Sequence, residues 1–120
     1  MIDSTVAIEI EKQLTELPEQ IGKKSQEAID ARHEWQKAKL DYECKYQEIT
    51  LSYKAKDAKS TQTDLKAQAT CGSRQQRLDS ILVESKYRKT MKELQKLRDD
   101  FDALKERSYN YRAELKILKG

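Results

Sequence analysis

The sequence predicts an all-α protein, and three observations carry that prediction. Charged residues make up 38% of the 120 positions, while Gly occurs three times and Pro once. Such a composition, rich in Glu, Lys, Gln, Ala and Leu, favours long helices over strands and turns. The second observation is a seam. From Met91, steps of three and four residues reach Leu94, Leu97, Phe101, Leu104, Ser108, Tyr111, Leu115 and Leu118, a heptad pattern with one polar gap at Ser108. The third is capping chemistry placed where the periodicity lapses. A disordered chain of equal polarity would show no heptads. The expected architecture is a short N-terminal helix plus a long antiparallel helical hairpin, coiled-coil-like and oligomeric.

The first segment reads as a short helix over residues 1–17. Val6, Ile10, Leu14 and Leu17, followed by Ile21, share one face, and Asp3 or Ser4 offers a side-chain oxygen to the unpaired amides of the first turn. Pro18 removes an amide and crowds the preceding turn, so a bend is expected there. It also suits the first turn of a new helix, with Glu19 near the positive end.

The hairpin domain then occupies residues 18–120. Its first long helix runs from about Glu19 to Asp57, with a seven-residue stripe of Ile21, Ala28, Trp35, Tyr42 and Ile49, flanked by Ala31 and Ala38 and broadened by Tyr46 and Tyr53. Small residues early and aromatic ones late predict close packing at one end and a thicker core at the other. That spacing explains Trp35 and the tyrosines as core residues without a base-stacking role. A connector is expected at about 58–73. Thr61 with Asp64 starts a short helix through Ala69, Cys71-Gly72-Ser73 breaks the chain, and Ser73 with Gln76 has capping-box spacing for the last helix. A helix of the length of Leu78–Leu118 cannot bury its own stripe, so it needs a partner in this chain or in another copy. The residues Trp35, Tyr42, Ile49, Leu94, Leu97, Phe101, Leu104, Tyr111, Leu115 and Leu118 form the expected core and oligomer seam.

Charge is unevenly placed. The net charge is +3. Residues 1–20 carry five acids against one base, residues 23–53 balance, and residues 78–120 carry eleven bases against eight acids. Residues 54–77 hold Lys54, Lys56, Lys59, Lys66, Arg74 and Arg77 against Asp57 and Asp64, with no Glu. This region also supplies Ser, Thr and Gln, which hydrogen-bond phosphate oxygens without reading a base. One copy makes a weak nucleic-acid site; several copies in a ring make a continuous basic track. The plainer reading is a soluble loop, since surface lysines are common.

Other classes find little support. His33 is the single histidine, with no cysteine or second histidine at ligand spacing, so no metal site is expected. No nucleophile–base pairing is visible and neither glycine-rich phosphate motif occurs, so neither an enzyme nor a cofactor is expected. No run of about 18 apolar residues predicts a membrane span, and the acidic start lacks the pattern of a secretory leader. The chain is expected to stay in the cytoplasm, with Cys44 and Cys71 as free thiols.

The order of elements resembles small bacteriophage recombination mediators of the UvsY type: short helix, long helix, basic Lys/Ser/Thr connector, heptad-rich final helix. A Lys-Ala-basic triplet carries the local match. Lys37-Ala38-Lys39-Leu40-Asp41-Tyr42 fits it by residue identity, and Tyr53-Lys54-Ala55-Lys56 fits it by position before the connector. The resemblance spans most of the chain as architecture and about six residues as motif. It implies a homo-oligomer that binds single-stranded DNA in the cytoplasm of a bacterial host. It further implies help to a recombinase in displacing single-strand-binding protein, with Lys37 and Lys39, or Lys54 and Lys56, on phosphate. The chain departs from that family in lacking a glycine-rich connector. Two other readings stay open: a structural or adaptor coiled coil, and a small phage inhibitor of a host nucleic-acid enzyme presenting its acidic residues 1–20.

Overall fold

The computed structural model describes Ser4–Lys119, with side chains to Leu118. It is all-helical over those residues: α1 spans Ser4–Lys56, α2 spans Gln62–Gly72 and α3 spans Arg74–Lys119. Two compact units divide the fold. One joins α1 up to Ala28 with α3 from Thr90 onward; the other is Ile29–Lys89.

In the first unit, the two helical segments run antiparallel. Val6 and Ile10 share a groove with Ala103, Arg107, Asn110 and Tyr111, while Lys24 reaches Glu93 at the other end. Ile10, Ala28, Leu94, Leu104 and Ser108 are buried. The polar gap in the heptad run is thus an inward position, where a small side chain lets the helices approach. Leu97, Phe101, Tyr111 and Leu115 are half-buried, as are Val6, Leu14, Leu17 and Ile21. The Lys105 ammonium lies 4.8 Å over the Phe101 ring and screens part of its wet side. Leu118 is 69% exposed. It lies two turns beyond Tyr111, the partner of Val6, and so passes the described start of α1. Leu118 is thus not a core position among the described residues.

The expected break at Pro18 is also corrected. α1 continues through it, and Pro18 is exposed. Proline frees the carbonyl four residues back and removes one amide. On a water-facing side both losses are cheap compared with separating Leu14 and Leu17 from α3. The expected N-terminal helix is therefore the first part of α1. Of its two candidate caps, Asp3 lies outside the described residues and Ser4, the first described residue, is already helical.

In the second unit, Trp35 stacks on Tyr87, Ala31 is buried, and Ala38, Tyr42, Tyr46 and Ile49 are half-buried. The inward row here begins at Ser73 and continues in α3 with Gln76, Ser80, Val83 and Tyr87, all buried or half-buried. It continues the heptads of the first unit backwards without a slip. Leu78, by contrast, is 44% exposed and stands off the seam. Gly72 is the point of closest approach: a Cβ there would stand 2.5 Å from Ile49 Cδ1, so a hydrogen lets Ile49 seat against α2.

The short helix expected within the connector forms as α2, burying Leu65 and Ala69 one turn apart, but it runs on through Cys71 and Gly72, so that the expected break narrows to Ser73. The turn before it is residues 57–61. Thr61 caps α2 as expected, its Oγ1 accepting from the Asp64 amide at 3.2 Å. The Ser73–Gln76 capping box does not form. Ser73 is fully buried and its hydroxyl donates backwards to the Ala69 carbonyl at 2.6 Å, while Gln76 Oε1 is buried without a hydrogen-bond partner in the protein. Ser73 is the one residue between α2 and α3, too short a gap to expose amides that need a box.

Candidate nucleic-acid interface

The second unit carries all eight basic residues singled out by the sequence. Lys54 and Lys56 occupy the last turn of α1, Lys59 sits in the turn, Lys66 lies on the exposed side of α2, and Arg74 and Arg77 open α3. Lys37 and Lys39 stand in the middle of α1. Every one is exposed. The ion pairs of the described residues use Lys24, Lys86, Arg88 and Lys105 instead.

Local geometry explains why the turn region stays basic. The Asp57 carboxylate is turned onto the backbone, where Oδ1 accepts from the Lys59 amide at 3.0 Å, an Asx turn. The Ser60 amide donates to the Asp57 carbonyl at 3.2 Å. Asp64 sits in the first turn of α2, beside that helix's positive end. Both acids of the region are thus engaged with backbone charge rather than with a lysine. The role of Asp57 was missed from sequence, although Asp two residues before Lys59 in a Ser/Thr-rich stretch is the signal of such a turn.

Lys54, Lys56 and Lys59 stand within six residues of one another at the turn, and Lys66 lies about one turn into α2, in a groove shared with Tyr46, Gln47 and Thr50. Arg74 and Arg77 lie eight and eleven residues past Lys66, about 12 and 16 Å along helical backbone. Lys37 and Lys39 are a further group, roughly 22 Å or more from Lys54 along α1. Eight cations therefore form three groups rather than one patch. Lys54 and Lys56 also have a plain structural role, since cations in a last turn offset the negative end of a helix.

Two aromatic residues of the α1 stripe are engaged with other rings. Trp35 and Tyr42 are half-buried in ring contacts; Tyr53, 38% exposed, is the one aromatic near the turn. A shallow groove of about 470 Å³ runs past the same end, lined by Tyr46, Gln47, Thr50, Thr63, Leu65 and Lys66, with amide and hydroxyl donors but no convergent acid–base pair. His33 is exposed on α1, and no cluster of three metal-ligating side chains occurs among the described residues. No helix of the described residues is long and apolar enough to cross a membrane. No family model, curated protein or solved structure matches this chain.

Proposed function

We propose that the protein is a non-enzymatic mediator that binds single-stranded DNA as a homo-oligomer and assists the loading of a recombinase. One observation supports this above the others: Lys54, Lys56 and Lys59 at the turn, and Lys66 in the adjoining α2, are exposed and in no ion pair among the described residues, and Asp57 is held by the Lys59 amide. Phosphate binding needs cations that give up only water and counterions on contact. Cations already paired with carboxylates would have to break those pairs first. The hydroxyls of Ser60, Thr61 and Thr63 stand among the lysines and suit phosphate oxygens. Sequence preference is expected to be slight, since nothing at the turn presents a bidentate reader of base edges.

The oligomer multiplies a site that is weak in one copy, and linked sites bind a common strand far more tightly than each alone. The recombinase-loading part rests on the resemblance in element order and on the Lys-Ala-Lys triplets.

A titration of labelled oligo-dT, random single strand and duplex in low salt tests the reading. Binding of both single strands with similar affinity is the expected result. No binding to either leaves an adaptor coiled coil, the reading favoured by the exposed apolar residues Leu78, Ile81 and Leu82 on α3.

A further inference from the structure

The part of α1 within the second unit carries a second row on the side away from its buried stripe. Ile29, Leu40 and Leu51 are 49%, 59% and 66% exposed and are spaced eleven residues apart. Between them, at steps of four, three and four, lie His33, Gln36, Cys44 and Gln47, all exposed. Eleven residues make just over three turns, so the row runs nearly straight along the helix. It contains no charge, in a chain where 38% of residues are charged.

The row is also symmetric about Leu40. Eleven residues to either side stand Ile29 and Leu51, seven to either side His33 and Gln47, four to either side Gln36 and Cys44. We infer that this face docks on the same face of a second copy, antiparallel, with a two-fold axis at Leu40. An isologous contact puts each residue against its mirror position. Leu40 then meets Leu40, Ile29 meets Leu51, and the polar residues meet polar residues.

The flanking charges select the direction. Lys37 and Asp41 edge one side of the row, and Lys39 and Glu43 edge the other. Antiparallel packing sets like flanks together, so Lys37 neighbours Asp41 of the second copy and Lys39 neighbours its Glu43, each pair occurring twice. Asp30 facing Glu48 is the one like-charge pair, at the ends of the contact. Parallel packing would set opposite flanks together, with Lys37 beside Lys39 and Asp41 beside Glu43, and its gains, Asp30 with Arg32 and Asp41 with Lys39, only offset those two like-charge contacts. Charge complementarity of this kind fixes register and orientation more than affinity. The buried stripe of α1 and its packing on α3 are undisturbed, because the row lies on the opposite side. The inference stands apart from the nucleic-acid reading and is tested without DNA.

Cysteine cross-linking reads the register directly. In a Cys71→Ser background, Gln36→Cys should form a dimer under mild oxidation through the native Cys44 of the second copy, and adding Cys44→Ser should abolish it. Leu40→Cys should cross-link to itself in a chain lacking both native cysteines. Cys44 alone should not, since the two copies' Cys44 are offset by eight residues, about 12 Å along the axis, beyond the roughly 7 Å Cα separation a disulfide spans. Sedimentation gives a second readout: Leu40→Lys should abolish the dimer with helicity retained, and Leu82→Lys should leave it intact. Ready cross-linking by Cys44 alone would mean a parallel or shifted contact and overturn the proposal. So would a parent protein that is monomeric at 100 micromolar, a Leu40→Lys dimer, or dissociation by Leu82→Lys alone.

Discussion

Trp35 of α1 stacks on Tyr87 of α3 with ring centroids 5.6 Å apart and planes within 20° of parallel. The pair joins residues 52 positions apart in sequence and sits where the rest of the facing row is small or polar. Offset stacking of this kind adds about 0.5–1.5 kcal/mol beyond the buried area. Trp35→Ala should cost about 2–3 kcal/mol, less than the ~3–5 kcal/mol of a fully buried tryptophan, because part of the ring is wet. Trp35→Phe should recover part of that loss. Urea unfolding followed by circular dichroism checks both values, and an alanine variant as stable as the parent would contradict the packing role.

The seam in the first unit should show a graded response. Leu104 is 5% exposed and Leu118 is 69% exposed, with Leu97 between them. Leu104→Ala should cost about 2–5 kcal/mol and Leu97→Ala less, while Leu118→Ala should stay within about 0.5 kcal/mol. Denaturant midpoints of the three variants measure the order. Equal losses at Leu104 and Leu118 would mean that the last turn of α3 is covered in solution.

How much of this was legible in the sequence follows from the same residues. The heptad run was readable wherever its inward positions are apolar, from Leu94 to Leu115. Upstream it is hidden, because Ser73, Gln76, Ser80 and Thr90 keep the period without the hydrophobicity. Pro18 misled because local propensity is a weaker force than the packing of Leu14 and Leu17 on a partner helix. The basic residues themselves were plain. What the sequence left hidden is the hold of the Lys59 amide on Asp57, which decides whether the cluster is neutralised. The exposed row of Ile29, Leu40 and Leu51 was passed over because its period is eleven residues, not seven.

Lys24 gives a pH signature. Hydrogen bonds to Glu93 and then Glu27, at 2.8 and 2.9 Å, hold its ammonium above the ordinary lysine value of 10.5. A raised folded-state value means the stabilisation is complete below the unfolded lysine range and is lost as pH rises through the folded value. The stability difference between parent and Lys24→Met should therefore be flat from about pH 7 to 9 and shrink only above about pH 10.4. Paired unfolding curves across that range test it; a difference already falling between pH 7 and 9 would contradict the assignment.

The most direct test of the proposed function is the salt dependence of oligo-dT binding by the parent and by a Lys54→Ala, Lys56→Ala, Lys59→Ala triple variant. For the parent, the logarithm of the binding constant should fall with the logarithm of salt concentration at a slope of roughly −0.7 per neutralised phosphate. The triple variant should bind more weakly with a slope shallower by about 2, while helicity and oligomer size stay unchanged. A triple variant with the parent's affinity and slope would contradict the assignment of the site to the turn and move it to Lys37 and Lys39. A parent that fails to bind at low salt would contradict the function itself.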